Sequence, residues 1–356
     1  MQLQELFALQ PIDNASALHA EFYNNERWLK VEQERVFSQS WQLAGHVGEL
    51  NAPGDHVVCE IAGKPILIVR NAVNELRAFY NVCRHRAGPL ALCSGKGAKS
   101  LQCKYHGWTY TLDGQLRSAT EMQSASHFDV SQIRLPEVKV REWQGLIFVA
   151  LSDNTPDFDA VYGGIVERIQ PLDLQQMKLT KRVSYELECN WKVYIDNFLE
   201  GYHLPFVHPG LNRVLDYRSY DTELFEWYSL QHSPLRNNDG LYADGHAFYY
   251  FVYPNIMLNI LPGRLQTNRI LPKGLNRCIV EFDYFYTEDP GVLERMANEQ
   301  KFADEIQEED IGICERVQKG LNSGSYTAGR LNPQRESGVW HFQNLLRTAY
   351  ATEHPL

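Results

Sequence analysis

The chain contains no run of eighteen consecutive apolar residues, so no membrane-spanning helix is expected. Basic residues are in deficit: 34 Lys and Arg against 44 Asp and Glu give a net charge of −10. That balance argues against nucleic acid or an anionic membrane as the main partner. The opening residues, MQLQELFALQPIDNASALHAEF, have no basic stretch ahead of an apolar core, so no signal peptide is expected. Cysteine is scarce and odd in number, seven scattered residues, which fits reduced thiols in the cytoplasm better than a disulfide framework. No Gly-rich dinucleotide fingerprint occurs, so no flavin or nicotinamide site is expected within the chain. Repeats and low-complexity tracts are missing too. What remains, 356 residues with 44% hydrophobic and 22% charged content, is enough for about two globular domains.

Against that plain background one stretch stands out. Cys83-Arg84-His85 is followed, after seventeen residues, by Cys103-Lys104-Tyr105-His106. Each half supplies one thiolate and one imidazole, whereas a zinc finger groups its cysteines before its histidines. The paired order suits a Rieske [2Fe–2S] centre, in which two Cys hold one iron and two His the other. Gly88, Pro89, Gly95, Gly97 and Gly107 supply turns for two loops that would clasp one cluster. A structural zinc site is the alternative.

The flanking sequence predicts the frame. Residues 1–40 read as a helical segment, with apolar residues of Ser16 to Phe37 at roughly helical spacing. Residues 41–155 alternate as β-strands, with hairpin turns at Asp113-Gly114 and Gln144-Gly145. The stretch SDNTPDFDAV reads as a linker. Residues 156–356 mix strands with a helix near Lys192 to Tyr202 and a long helix over about Pro290 to Leu321, an α+β pattern.

A second metal site is expected in NWKVYIDNFLEGYHLPFVH. Glu200 and His203 are three apart, on one face if helical; Pro205 breaks the ladder, so that His203 and His208 can converge. Two His and one carboxylate with open positions form the non-haem Fe(II) triad. The long helix selects the carboxylate: Ile306, Ile313, Cys314, Val317 and Leu321 share a face with Asp310, while Asp304, Glu305, Glu308 and Glu309 read as a solvated face. A carboxylate on an apolar stripe is costly unless paired or metal-bound. Core histidines and a buried salt bridge are the alternatives.

Together CRH…CKYHGWTY, NWK…DNFLEGYHLPFVH and EEDIGICERVQKGL resemble the terminal oxygenase of Rieske non-haem iron oxygenases, over essentially the whole chain. The resemblance implies an all-β Rieske domain joined to a START-like helix-grip catalytic domain, an antiparallel sheet with long helices. It assigns Cys83, His85, Cys103 and His106 to the cluster, His203, His208 and Asp310 to a mononuclear iron, and Glu200 to the carboxylate bridging the two centres. Lys104 stands where many members have Pro. It further implies ring assembly, commonly a homotrimer, and a separate flavin/iron–sulfur reductase fed by NAD(P)H. The basic residues Arg84, Arg86, Lys96, Lys99 and Lys104 could dock such a partner.

Within the family, CNWKVYIDNFLEGYH, FVYPNIMLNI and EFDYF resemble the choline monooxygenase and glycine-betaine type. Phe225, Trp227, Tyr228, Phe248, Tyr249, Tyr250, Phe251 and Tyr253 crowd segments expected to line the pocket, and aromatic faces bind quaternary ammonium. Such strand aromatics are also ordinary core. The expected reaction uses O₂ to hydroxylate or oxidatively N-demethylate a small methylated ammonium compound resembling choline, betaine or carnitine. Hydroxylation of an aromatic acid is the second reading; a stand-alone Rieske-type electron carrier is the reading from another class.

Overall fold

The computed structural model describes residues 3–211, 219–235 and 245–351. The chain divides into two compact units, one formed by Phe37–Pro156 and the other by Met1–Val36 with Asp157–Leu356.

In the smaller unit, strands β1 (Gln42–His46), β2 (His56–Ile61), β3 (Lys64–Arg70), β4 (Leu76–Tyr80), β8 (Glu137–Trp143) and β9 (Leu146–Ala150) form an antiparallel sheet ordered β1-β9-β8-β4-β3-β2. The short strands β5 (Leu101–Gln102), β6 (Thr109–Tyr110) and β7 (Leu116–Ser118) form a second sheet. The run Ile66-Leu67-Ile68-Val69 is apolar throughout because β3 is covered on both faces. Ile66 and Ile68 enter one core with Val57 and Ile147. Leu67 and Val69 enter another with Phe79, Trp108 and Tyr110, and Cys83 and Cys103 belong to that second core. Gly114 and the Gln144-Gly145 pair have positive φ, as tight turns between these strands require.

The larger unit is built on a seven-stranded antiparallel sheet: β10 (Lys178–Leu187), β11 (Asp221–Leu224), β12 (Tyr228–Pro234), β13 (His246–Val252), β14 (Ile256–Leu261), β15 (Arg264–Pro272) and β16 (Cys278–Tyr286), ordered β10-β16-β15-β14-β13-β12-β11. Four labelled helices accompany it: α1 (Trp191–Phe198), α2 (Leu204–Val207), α3 (Pro290–Asn322) and α4 (Ser337–Ala351). Asp289 caps α3 by accepting from the backbone N–H of Gly291 and Val292 at 2.8 and 3.2 Å, with Pro290 beginning the helix. Residues 3–36 are less regular than their periodicity predicts. They form short helical pieces, Leu3–Leu6, Glu21–Asn24 and Arg27–Val31, the last passing into a π-turn over Glu32–Phe37. Buried Glu32 explains the docking of this piece: its carboxylate accepts from Trp191 Nε1 at 2.7 Å, from Tyr350 Oη at 2.8 Å and from the buried Lys192 ammonium. Those bonds offset the cost of enclosing both charges.

No helix among the described residues is long and apolar enough to cross a membrane.

Candidate active site

In the smaller unit Cys83 follows β4 and Cys103 follows β5. Each loop closes on itself: Cys83 N–H donates to Gly88 O at 2.9 Å and Cys103 N–H to Trp108 O at 2.8 Å. Lys104 N–H donates across to Pro89 O at 3.1 Å, tying the two loops together. The thiols are buried, whereas His85 is exposed and His106 half-buried. The imidazoles lie 4.7 Å apart between centroids, and His85 stacks on Trp108 at 4.8 Å and 8°. A Cβ added to Gly88 would sit 2.9 Å from Cys103 Sγ and 2.9 Å from Tyr105 Cβ, so only glycine lets this loop approach so closely. Burial pushes the Cys83 thiol up, while the Tyr110 hydroxyl, 3.2 Å from its sulfur, and the His85 N–H pull the other way. Desolvation, then His85 and Arg86, hold the His106 imidazole below its ordinary value. Its Nδ1 is buried without a hydrogen-bond partner, a cost in a folded chain unless the atom serves a ligand.

In the larger unit the helix predicted to reach Tyr202 stops at Phe198, and Glu200 and His203 do not share a helical face. The carboxylate of Glu200 competes for the next backbone donors, accepting from the N–H groups of Tyr202 and of His203, the latter at 3.0 Å. Pro205 therefore falls in the first turn of α2, where it starts a helix instead of breaking one. Glu200 Oε1 also lies 2.6 Å from His203 Nδ1.

The long helix spans the predicted range, and it brings Asp310 to both histidines. Asp310 Oδ1 lies 2.9 Å from His208 Nε2 and 3.9 Å from His203 Nε2. One donor atom from each of the three residues falls within 4.8 Å of the others. Two expectations for this helix need correction. Val317, placed on the apolar stripe, is 45% exposed. Two acids assigned to the solvated face have specific partners: Asp304 accepts from Tyr185 Oη at 2.6 Å, and Glu309 Oε2 lies 2.6 Å from His208 Nδ1. Periodicity missed Glu309 because His208 approaches α3 from α2 and reaches two successive residues. Asn197, which donates to Asp310 Oδ1 at 2.6 Å, was visible in the motif but had no role. Burial lowers the His208 imidazole, and the carboxylates of Asp310 and Glu309 more than offset it, leaving the ring raised.

A cavity opens beside these residues, walled by Tyr194, Phe198, Tyr220, Tyr249 and Phe282 and by the polar side chains of β14 and β15. Of the eight aromatics expected there, Tyr249 alone is among its walls. Strand alternation sends Tyr250 to the opposite face. Phe251 lies against Phe342 at 5.3 Å, and Phe225 stacks on Tyr228 at 4.3 Å.

Residues 40–138 match the family described as Rieske [2Fe-2S] domain, and residues 174–352 match Ring hydroxylating alpha subunit (catalytic domain). The chain belongs to the Rieske oxygenases. It is 33% identical to the chloroplastic choline monooxygenase of Arabidopsis thaliana, covering 94% of this chain and 83% of that protein. It is 30% identical to the carnitine monooxygenase oxygenase subunit of Escherichia coli (strain K12), covering 98% and 97%. Among solved structures, the quaternary ammonium Rieske monooxygenase CntA in complex with L-carnitine superposes with a TM-score of 0.84 at 27% identity, covering 96% of this chain and 99% of that one.

A Rieske oxygenase is an oxygen-incorporating oxidoreductase with a [2Fe–2S] cluster in the one domain and a mononuclear iron in the other. The side chains fit both groups. Two buried thiols, an orphaned imidazole nitrogen and a glycine-lined cradle suit the cluster. Donors spaced 2.9 and 3.9 Å apart suit a single ion with bonds of roughly 2.1 Å.

Proposed function

We propose that this chain is the terminal oxygenase of a system that oxidises a small quaternary or methylated ammonium compound. The observation that carries the reading is the pair of full-length relatives, a choline and a carnitine monooxygenase. Aromatic faces of Tyr194, Tyr220, Tyr249 and Phe282 around the cavity support it, since such faces attract a desolvated ammonium. Cys83, His85, Cys103 and His106 would hold the cluster, and His203, His208 and Asp310 the iron. When bound, the cluster supplies single electrons and the iron supplies the place where O₂ is activated. The protein's own part is to hold both imidazoles in one orientation. Glu200 at His203 Nδ1 and Glu309 at His208 Nδ1 each keep a proton on that nitrogen, leaving Nε2 as the donor that faces Asp310. One oxygen atom enters a C–H bond and the other leaves as water, with two electrons and one proton from NAD(P)H through a separate reductase and the second proton from solvent. Arg84, Arg86, Lys99 and Lys104 are exposed around the cluster loops beside Tyr105 and Leu92, which are 56% and 72% exposed. That face is the docking surface we assign to the reductase; Lys96 is instead tied to Asp55 at 3.2 Å. A homotrimeric ring and a cytoplasmic location, where all seven cysteines stay free of disulfides, complete the reading.

The test is a panel of choline, glycine betaine, carnitine and benzoate with the reconstituted reductase, following O₂ uptake and product together. Coupled product from an ammonium compound supports the reading; coupled product from benzoate alone replaces it with the aromatic-acid reaction.

A further inference from the structure

We propose that Cys189 and Cys278 form a thiol pair that hydrogen peroxide converts to a disulfide, with Cys314 as the side chain past which the oxidant reaches them. The oxygenase reaction itself uses none of these sulfurs. Peroxide is the oxidant because two electrons and two protons turn O₂ into H₂O₂ when no C–H bond takes up the oxygen.

Three elements bring the sulfurs together. Cys189 stands between β10 and α1, next to Asn190, whose side chain accepts from the N–H of Lys192 at 3.1 Å and so caps α1. Cys278 opens β16. Cys314 lies on α3, one turn beyond Asp310. The Cys189 and Cys278 sulfurs are 3.9 Å apart, and Cys314 is a second hydrogen-bond partner of Cys189. None of the three is more than 1% exposed. Leu187, two residues before Cys189, pairs with Cys278 across the β10–β16 ladder. The backbone is thus already joined where the bond would form, and closure to about 2.05 Å falls to the two side chains.

Burial alone makes a cysteine an inert core residue. Two features set this group apart. The thiols of Cys278 and Cys314 both serve Cys189 as hydrogen-bond donors and hold it below its ordinary value, against the opposing effect of its burial. Cys189 is therefore the sulfur best able to act as a thiolate. Cys314, for its part, lines a cavity of about 560 Å³ whose walls include Glu200 and His203 of the iron site. A small neutral oxidant released beside the iron has that cavity to enter, and Cys314 is the one thiol of the three on its wall. The chemistry balances with peroxide as the sole reagent. The Cys189 thiolate attacks one peroxide oxygen and the O–O bond breaks. That oxygen stays on sulfur as a sulfenic acid, and the other leaves as hydroxide, which takes up the proton Cys189 had lost and becomes water. The Cys278 sulfur then displaces the hydroxyl. The S–O bond breaks, the S–S bond forms, and the Cys278 proton departs in a second water. The two sulfurs together lose two electrons and the peroxide gains them.

The experiment treats the loaded oxygenase with a few equivalents of hydrogen peroxide, removes the excess with catalase, alkylates the remaining thiols in denaturant and maps the peptides by mass spectrometry. The expected result is a linked pair of Cys189 and Cys278 peptides, lighter by two hydrogens and separated again by dithiothreitol, with Cys314 alkylated. Cys189→Ser should lose the link entirely. Cys278→Ser should lose it as well but leave Cys189 as a sulfenic acid that dimedone captures, which packing of inert core thiols would not give. Cys314→Val, which narrows the way in from the cavity, should slow the link several-fold; an unchanged rate would overturn the route past Cys314. The pair itself falls on either of two results in the unmodified protein. One is that Cys189 and Cys278 stay reduced at a dose that oxidises the exposed Cys93. The other is a linked pair that omits Cys189 or Cys278.

Discussion

Glu309 and His208 meet at 2.6 Å, carboxylate oxygen to Nδ1, while Asp310, the next residue of the same helix, faces Nε2 of that ring. One helical step thus fixes both ends of an imidazole. Glu200 does the same for His203 from its own loop at 2.6 Å. The two rings stand at 74° with centroids 5.0 Å apart, each oriented by a carboxylate on the side away from Asp310.

Glu309→Gln should therefore weaken iron binding without removing a ligand, by roughly 10- to 100-fold. The pH dependence carries a sign. A histidine must be neutral to ligate, and the two carboxylates raise His208 in the metal-free chain. Protons then compete with iron from a higher pH than an ordinary histidine would allow. Removing the Glu309 charge lowers the ring toward its ordinary value and moves the acid limit of iron retention to lower pH. Iron per subunit under chelator challenge between about pH 5.5 and 8 checks both effects; superimposable curves for the two proteins would mean Glu309 does not orient His208.

Gly88→Ala tests the cluster cradle. Its new Cβ would lie 2.9 Å from Cys103 Sγ, and the neighbouring Tyr105 Cβ, also at 2.9 Å, limits relaxation. The expected outcome is a protein with unchanged far-ultraviolet circular dichroism that has lost most of its cluster absorbance and the EPR signal of its reduced form. Cys103→Ser should give the same loss through the missing thiolate. Full cluster content in the alanine variant would show that the loop has more room than this packing allows.

Much of the architecture was legible because it follows short-range rules. The turns at Gly114 and Gly145, the limits of α3 and the placing of Asp310 on the side of the helix that meets both histidines came from turn chemistry and 3.6-residue spacing. What stayed hidden depended on tertiary approach. Nothing local shows that the Glu200 carboxylate would capture two backbone N–H groups and end α1 at Phe198. Nor does period-2 reasoning tell which part of one sheet face borders a cavity and which part lies under α4: Tyr249 and Phe251 share a face, yet Tyr249 walls the cavity while Phe251 packs on Phe342. Cys189, Cys278 and Cys314, far apart in sequence, gather in one buried place where Cys189 and Cys278 sulfurs lie 3.9 Å apart; spacing alone showed them only as scattered cysteines.

Asp196, close to the predicted ligands in sequence, has a structural role with a pH signature. Its carboxylate accepts from Tyr23 Oη at 2.5 Å and Gln343 Nε2 at 3.0 Å. Burial pushes its pKa up to about 6, with Tyr23 and Gln343 pulling the other way. A carboxyl raised in the folded state binds its proton longer there than in the unfolded chain, so stability falls as pH rises through that window. Asp196→Asn removes the titration. Between pH 5 and 7.5 the native protein should lose about 1.4 kcal/mol relative to the variant, measured by urea unfolding at the two values. An equal pH slope in both proteins would place the ionisation elsewhere.

Glu200 offers the sharpest separation of roles. Its carboxylate holds two backbone N–H groups with Oε2 and His203 Nδ1 with Oε1. Glu200→Gln keeps the shape but turns one acceptor oxygen into a donor NH₂. If Oε1 remains the oxygen, His203 keeps its partner and the loop loses its acceptor; with the amide reversed, the loop is kept and His203 is misaligned. Either way no iron ligand is lost, so both metals should stay bound and the cluster should still accept electrons from a chemical reductant. Product formation requires His203 held in one orientation, and as a bridging carboxylate Glu200 would also set the route by which electrons arrive. Single turnover with the cluster reduced beforehand should then show slow cluster reoxidation and product reduced by roughly 10- to 100-fold. A purely structural loop role predicts something different: a lower melting temperature with normal reoxidation and normal product in the fraction that remains folded. That second outcome would take Glu200 out of the electron path and leave it as the residue that ends α1.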